Sequence, residues 1–278
     1  MFDEWCDIDE SVHGDNKKLC GLSEKANGRA AIRAELVQRV RSHYDKLEQI
    51  AEDAERLGFP GASAILKERM PRTARARSGE MGEIVATEFI ELHTGFRIPV
   101  RRLRYKDGRE MALRGDDFLG VSEDENERLL FLKGESKSGQ AVSNAVVTDA
   151  RERLSADDGR PTPISLLFVA DRLLEAVDED EQALGRRMRD EVALKSVAPQ
   201  RITHGLFALS GNTPEAILEA DLEAADGVHS HISVGFHVEG HQAFIAEIYE
   251  AAGHLGNDLR TANLPERRDA GEHTRAAP

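Results

Sequence analysis

A chain of 278 residues is long enough to bury a substantial core, as one large domain or two small ones. Its 40% hydrophobic and 32% charged residues suit a soluble, largely helical α/β protein, and 5% aromatics advertise no stacking platform for single-stranded nucleic acid. A net charge of −14 argues against a general nucleic-acid coat protein.

The start, Met1-Phe2-Asp3-Glu4-Trp5, lacks the basic-then-apolar order of a signal peptide. No apolar stretch approaches the roughly 20 residues of a membrane span. The expectation is a cytoplasmic protein, off the membrane, with Cys6 and Cys20 reduced. The first 25 residues read as loops or an ordered arm. From Arg29 to Leu57 the apolar residues Ile32, Leu36, Val40, Tyr44, Leu47 and Ile50 recur at helical spacing, and Gly58 and Pro60 end that helix. A short helix near Ala62–Met70 precedes the basic run Arg72, Arg75 and Arg77. Ser78 is a plausible N-cap for the next helix, which carries Glu80 and Glu83 and ends at Gly95. Phe96–Tyr105 reads as a strand, Asp117–Val121 as a second and Arg128–Lys137 as a third. Further on, helices are expected at Asn144–Leu154, Glu175–Leu194, Pro214–Ala224 and Gln242–Ala252. Strands are expected at Ile202–Leu209 and His231–His237, and Ile164–Val169 fits either class. The expected organisation is a helical N-terminal part over 1–75, a core over 76–255 and a flexible tail over 256–278.

The chemistry concentrates at Glu135-Ser136-Lys137, which closes the apolar run Leu129-Leu130-Phe131-Leu132. Two residues apart on a strand, the carboxylate and the ammonium share a face. Burying such a pair is costly unless a metal, a phosphate or a reacting water uses it. Asp117 lies 18 positions upstream of Glu135, far enough for a hairpin to bring the two together. Both carboxylates and the Ser136 carbonyl suit Mg2+, with Mn2+ as a substitute. Lys137 would orient the attacking water or stabilise the oxyanion, and Glu83 would complete the shell. Bland readings exist for each: a strand-end ion pair for Glu135 and Lys137, a turn cap for Asp116 and Asp117, an exposed helix position for Glu83. Glu80 competes with Glu83, and Asp116 with Asp117. From Lys67 to Arg109, eleven Lys/Arg face six Asp/Glu, and Arg72, Arg75 and Arg77 are candidates for DNA phosphate contact.

The order helix Glu83, strand Asp117 and then Glu135-x-Lys137 resembles the PD-(D/E)xK, restriction-endonuclease-like nucleases, with Gly115-Asp116 standing where their Pro would be. This implies a core with a central mixed β-sheet flanked by helices, and metal-dependent cleavage of DNA. A narrower resemblance, to the HamA nuclease subunits of Hachiman anti-phage defence, rests on Arg77-Ser78-Gly79-Glu80-Met81-Gly82-Glu83, Gly115-Asp116-Asp117 and Leu132-Lys133-Gly134-Glu135-Ser136-Lys137-Ser138. It implies a DNase held in check by a partner helicase. Two other readings are a non-catalytic nucleic-acid- or partner-binding module with a degenerate nuclease fold, and a restriction–modification endonuclease. His229, His231, His237 and His241 are the densest histidine group, read as exposed strand histidines in preference to a zinc site.

Overall fold

A computed structural model describes residues 1–194 and 197–256; the expected tail lies outside them save for Gly256. Helix α1 (Phe2–Trp5) leads into a hairpin of β1 (Cys6–Val12) and β2 (Lys17–Glu24). The hairpin replaces the loops expected there, so the N-terminal part is helical only after it. Helices α2 (Gly28–Tyr44) and α3 (Leu47–Arg69) follow. The single helix expected over this stretch breaks at Asp45, whose backbone is extended and whose carboxylate takes the Lys46 N–H at 2.9 Å. Gly58, at φ 74°, interrupts α3 where the sequence placed a stop.

Helix α4 (Ala74–His93) is followed by an extended segment and a 3-10 turn at Arg102–Tyr105. The strand expected over Phe96–Tyr105 reduces to one bridge, Arg97 to Val121. Pro99 has no N–H to give a ladder. The arginines beyond it are drawn elsewhere: Arg101 to Glu88 at 3.2 Å, Arg102 to the Asp116 and Arg114 carbonyls, Arg104 to the Ser42 carbonyl. The rest comprises β3 (Phe118–Glu123), β4 (Leu129–Gly139), α5 (Asn144–Ser155), α6 (Pro163–Leu174), α7 (Glu179–Leu194), β5 (Ile202–Ser210), α8 (Glu215–Ala224), β6 (Ser230–His237) and α9 (His241–Gly253). The ambiguous Ile164–Val169 run is helical, started by Pro163 and capped by the Thr162 side chain on Ser165 N–H.

One six-stranded sheet runs β1-β2-β6-β5-β4-β3. Its centre is parallel, and an antiparallel hairpin closes each edge. Helices cover both faces, which is why β5 reads as almost continuously apolar. On one face Leu132, Phe207, Leu209 and Phe236 bury against Met81, Val85 and Phe89 of α4 and Phe244 and Ile248 of α9. On the other, Leu206 and Ala208 meet Val147, Ala150 and Leu154 of α5 and Leu218 and Leu222 of α8. Each large side chain buried this way contributes about 1.5–3 kcal/mol. The architecture is therefore α/β, a mixed sheet between helical layers. Among the described residues no helix is long and apolar enough to cross a membrane.

Candidate active site

Glu135, Ser136 and Lys137 lie inside β4, not at its end. The strand runs on to Gly139, but β3 leaves it at the pair Phe118–Gly134. The tripeptide thus begins where one neighbouring strand stops, and Asp117 sits at that point. Asp117 N–H donates to the Gly134 carbonyl at 3.0 Å, and its Oδ2 accepts the Ser136 N–H at 2.9 Å. Alternation along β4 sends Glu135 and Lys137 toward α5 and Ser136 and Ser138 toward α4. Lys137 Nζ bridges Glu135 Oε1 at 2.9 Å and Asp149 Oδ2 of α5 at 2.8 Å, with Arg153 one turn on, 3.5 Å from Glu135.

Helix α4 begins a turn earlier than Ser78 suggested. Thr73 caps it through the Ala76 N–H, and Ser78 instead bonds Ser138, hydroxyl to hydroxyl at 3.0 Å. Close approach to β4 depends on Gly82, where a Cβ would stand 3.0 Å from the Ser138 Cβ. That contact brings Glu83 to the sheet beside Asp117. The rival acids are engaged elsewhere. Glu80 accepts the Tyr44 hydroxyl at 2.6 Å and pairs with Lys106. Asp116 accepts the Thr162 N–H at 2.9 Å, and its own N–H donates to Ser165 Oγ at 2.8 Å, so it fastens the start of α6.

Burial, and then the Asp117 carboxylate, hold Glu83 well above the usual carboxylate range. Burial raises Asp117 as well, opposed chiefly by the Ser136 N–H. Glu135 is pushed up to about 7 by burial and by Asp117. Asp117 is therefore the neighbour that Glu83 and Glu135 share. Lys137 moves the other way from its burial: hydrogen bonds to Asp149 and Glu135 raise it, so it stays an ammonium.

Three crowded acids that resist ionising form a donor set that a hard divalent cation would relieve. Among the described residues, the trios whose ligand atoms lie within 4.8 Å of one another are His204/Asp226/His229 and His13/Glu219/Glu223. Glu83, Asp117 and Glu135 do not converge that tightly, which fits an ion that takes one or two carboxylates and fills its shell with water and substrate oxygen.

The three candidate arginines divide between two clefts. Arg75 is exposed beside Glu80, Glu83 and Lys106 in a cleft of about 290 Å³. Arg72 and Arg77 line a second, of about 470 Å³, against Tyr249 and His254. Sequence reasoning missed Asp149 and Arg153, which flank the lysine from α5; their i, i+4 spacing on a helix following the tripeptide was the available signal. It also misplaced the histidines. His229, His231 and His241 are buried, and His204, not singled out, stacks on His229 with ring centres 4.5 Å apart.

An α/β sheet that gathers three carboxylates and a lysine from a helix and two strands has an architecture consistent with a nuclease-like core. The chain belongs to the HamA family, whose model matches residues 1–252. It is similar to the Hachiman protein HamA of Bacillus cereus, 29% identical over 182 residues. The alignment spans 66% of this chain and 63% of that protein's length.

Proposed function

We propose that this protein is a metal-dependent DNA endonuclease of Hachiman anti-phage defence, controlled by a partner helicase. HamA family membership supports the defence role. The observation that carries the chemistry is Asp117, flanked by Glu83 and Glu135 and tied to the backbone of the strand that bears Lys137.

Asp117 and Glu135, with the Ser136 carbonyl, would hold Mg2+ or Mn2+, which would supply water activation and charge neutralisation at the phosphodiester. Lys137, fixed as an ammonium between Glu135 and Asp149, serves as a cation or hydrogen-bond donor to the attacking water or the developing oxyanion, not as a base. Glu83 supports Asp117 from α4. Arg75 lines a cleft with Glu83 and would meet a phosphate there, with Arg72 and Arg77 along the neighbouring one.

The test is plasmid cleavage by the purified chain, alone and with its helicase partner, in Mg2+ with and without chelator, alongside Mn2+ binding. Wild type should cut only with metal, while Glu135→Gln and Lys137→Met should not cut, and Asp117→Asn should lose Mn2+ binding. Cutting that persists in chelator, or in both Asp117→Asn and Lys137→Met, would overturn the proposal.

A further inference from the structure

Helix α5 meets the candidate active site from the face of the sheet opposite α4. The chain turns back after Gly139, and Val147, Ala150 and Leu154 seat the helix on Leu206 and Ala208 of β5. Helical periodicity then leaves Asp149 and Arg153 one turn apart on the flank that meets β4. Four charges close a ring there. Lys137 Nζ donates to Glu135 Oε1 at 2.9 Å and to Asp149 Oδ2 at 2.8 Å. Arg153 Nε lies 3.5 Å from the same Glu135 oxygen and 3.3 Å from the same Asp149 oxygen. Each carboxylate therefore faces both cations.

The ring has an inner and an outer half. The side chains of Glu135 and Lys137 are 6% and 16% exposed, those of Asp149 and Arg153 54% and 61%. An ordinary surface pair at i, i+4 accounts for Asp149 with Arg153. It does not account for an Asp149 oxygen that is also hydrogen-bonded to the largely buried lysine of β4. An ammonium has three N–H groups, and the two carboxylates take two of them, which leaves one for a water or an oxyanion.

Glu135 is at the same time a proposed metal ligand. Once it shares its charge with a divalent ion, its hold on Lys137 and Arg153 weakens, and both cations are repelled by the ion. Asp149, outside the proposed ligand set, is the carboxylate left to hold the ammonium in place. Arg153 is freer. It makes no hydrogen bond among the described residues, and exposed ion pairs such as its two are easily given up. Its planar fork matches two oxygens of a phosphate. We propose that α5 completes the catalytic centre: Asp149 is a positioning residue that keeps Lys137 aimed while Glu135 serves the metal, and Arg153 contacts substrate, taking a non-bridging oxygen of the phosphodiester held there. This inference rests on the nuclease reading above and adds to it two residues that approach from the side of the sheet away from Arg75.

The full chain, with its helicase partner present if wild type needs it to cut, tests this through three readouts. These are steady-state plasmid cleavage in Mg2+, Mn2+ binding by calorimetry, and duplex binding by fluorescence anisotropy in the Glu135→Gln background. Both residues are exposed, so the variants should keep the wild-type melting temperature. Asp149→Asn should lower kcat about 10- to 100-fold, as losing a group that orients another does. Its KM and Mn2+ affinity should stay within about twofold of wild type, and Asp149→Glu, which restores the charge, should recover part of the loss. Arg153→Ala should raise KM and weaken duplex binding roughly 3- to 10-fold at low salt, with Arg153→Lys closer to wild type. An unchanged kcat in Asp149→Asn, or unchanged KM and duplex affinity in Arg153→Ala, overturns this inference and leaves the nuclease reading standing. So does loss of Mn2+ binding in Asp149→Asn, which would make Asp149 a ligand. A wild type that never cuts, with or without the helicase, overturns that reading and this inference with it.

Discussion

Asp117 Oδ2 accepts the Ser136 backbone N–H at 2.9 Å, so the acid shared by Glu83 and Glu135 is locked to the strand that presents Glu135 and Lys137. Its neighbour in sequence does a different job, since Asp116 accepts the Thr162 N–H at the start of α6. The two should separate cleanly under mutation. Asp117→Asn is expected to lower cleavage by on the order of 10²-fold or more with little change in melting temperature. Asp116→Ala should instead destabilise the fold by about 1–2 kcal/mol, through the lost cap on α6. Thermal melts and plasmid cleavage on the same preparations check the pair, and an inactive Asp116→Ala beside an active Asp117→Asn would reverse the assignment.

Glu135 predicts an unusual stability profile. Its proton affinity is raised by folding, from 4.5 to about 7. Its contribution to stability is therefore complete below about pH 4.5 and is lost as the pH rises through 7. At pH 8 the metal-free protein carries a buried charge beside Asp117. Glu135→Gln removes that charge and leaves Lys137 paired with Asp149 at 2.8 Å. The variant should thus melt higher than metal-free wild type at pH 8, by on the order of 1–3 kcal/mol, while losing cleavage. The gain should vanish at pH 5. Chemical denaturation at the two pH values decides it, and a variant less stable than wild type at pH 8 would show that Glu135 is an ordinary ion-pair residue.

The same raised acid sets a proton against a cation. Binding of Mg2+ or Mn2+ requires the Glu135 carboxylate, so affinity should fall about tenfold for each pH unit below 7 if one proton is displaced. The acid limb of the cleavage profile should accordingly move to lower pH as metal concentration rises. Lys137, raised by Asp149 and Glu135, should add no loss of activity on the alkaline side below its ordinary value of 10.5. Calorimetry at pH 6 and pH 8 measures the first effect, and equal affinities would remove Glu135 from the ligand set.

Much of this was legible in the chain because local rules governed it. Periodicity in Ile32–Tyr44, Asn144–Leu154 and Gln242–Ala252 marked real helices, though not the break at Asp45, and the apolar run before Glu135 marked a real strand. Other features depended on tertiary partners that no local pattern records. Cys6–Glu24 became a hairpin because β2 finds a parallel neighbour in β6, more than 200 residues away. Phe96–Tyr105 lost its strand because Glu88, Ser42 and Asp116 claim its arginines. The sequence already favours Asp117, which directly precedes the apolar Phe118-Leu119-Gly120-Val121, and Glu83; what no local pattern records is that Thr162 and Tyr44 engage their rivals Asp116 and Glu80. The histidines misled for the same reason, since His204 and His229 are 25 positions apart in sequence and meet only through the β5–β6 pairing.

Arg72, Arg75 and Arg77 differ in what already holds them. Arg72 pairs with Glu68 at 3.3 Å; Arg77 donates to the Pro71 carbonyl at 3.0 Å and lies over the Tyr249 ring, 5.5 Å from its centre. The Arg75 side chain is exposed, makes no hydrogen bond or ion pair among the described residues, and shares its cleft with Glu83. Of the three arginines, Arg75 is therefore the one that can take a phosphate at the cleft lined by Glu83 without first giving up an existing contact. Arg75→Ala should weaken duplex DNA binding roughly 3- to 10-fold at low salt and reduce the salt slope by about 1, the signature of one lost phosphate contact. Arg72→Ala should do less, because its guanidinium must first leave Glu68. Arg77→Ala should show in melting temperature before it shows in affinity, since its guanidinium lies over Tyr249 of α9 and holds the Pro71 carbonyl. Fluorescence anisotropy with the Glu135→Gln variant, across roughly 50–200 mM salt, measures all three without cleavage intervening. A larger loss from Arg72 than from Arg75 would place the strand along the Tyr249 cleft instead.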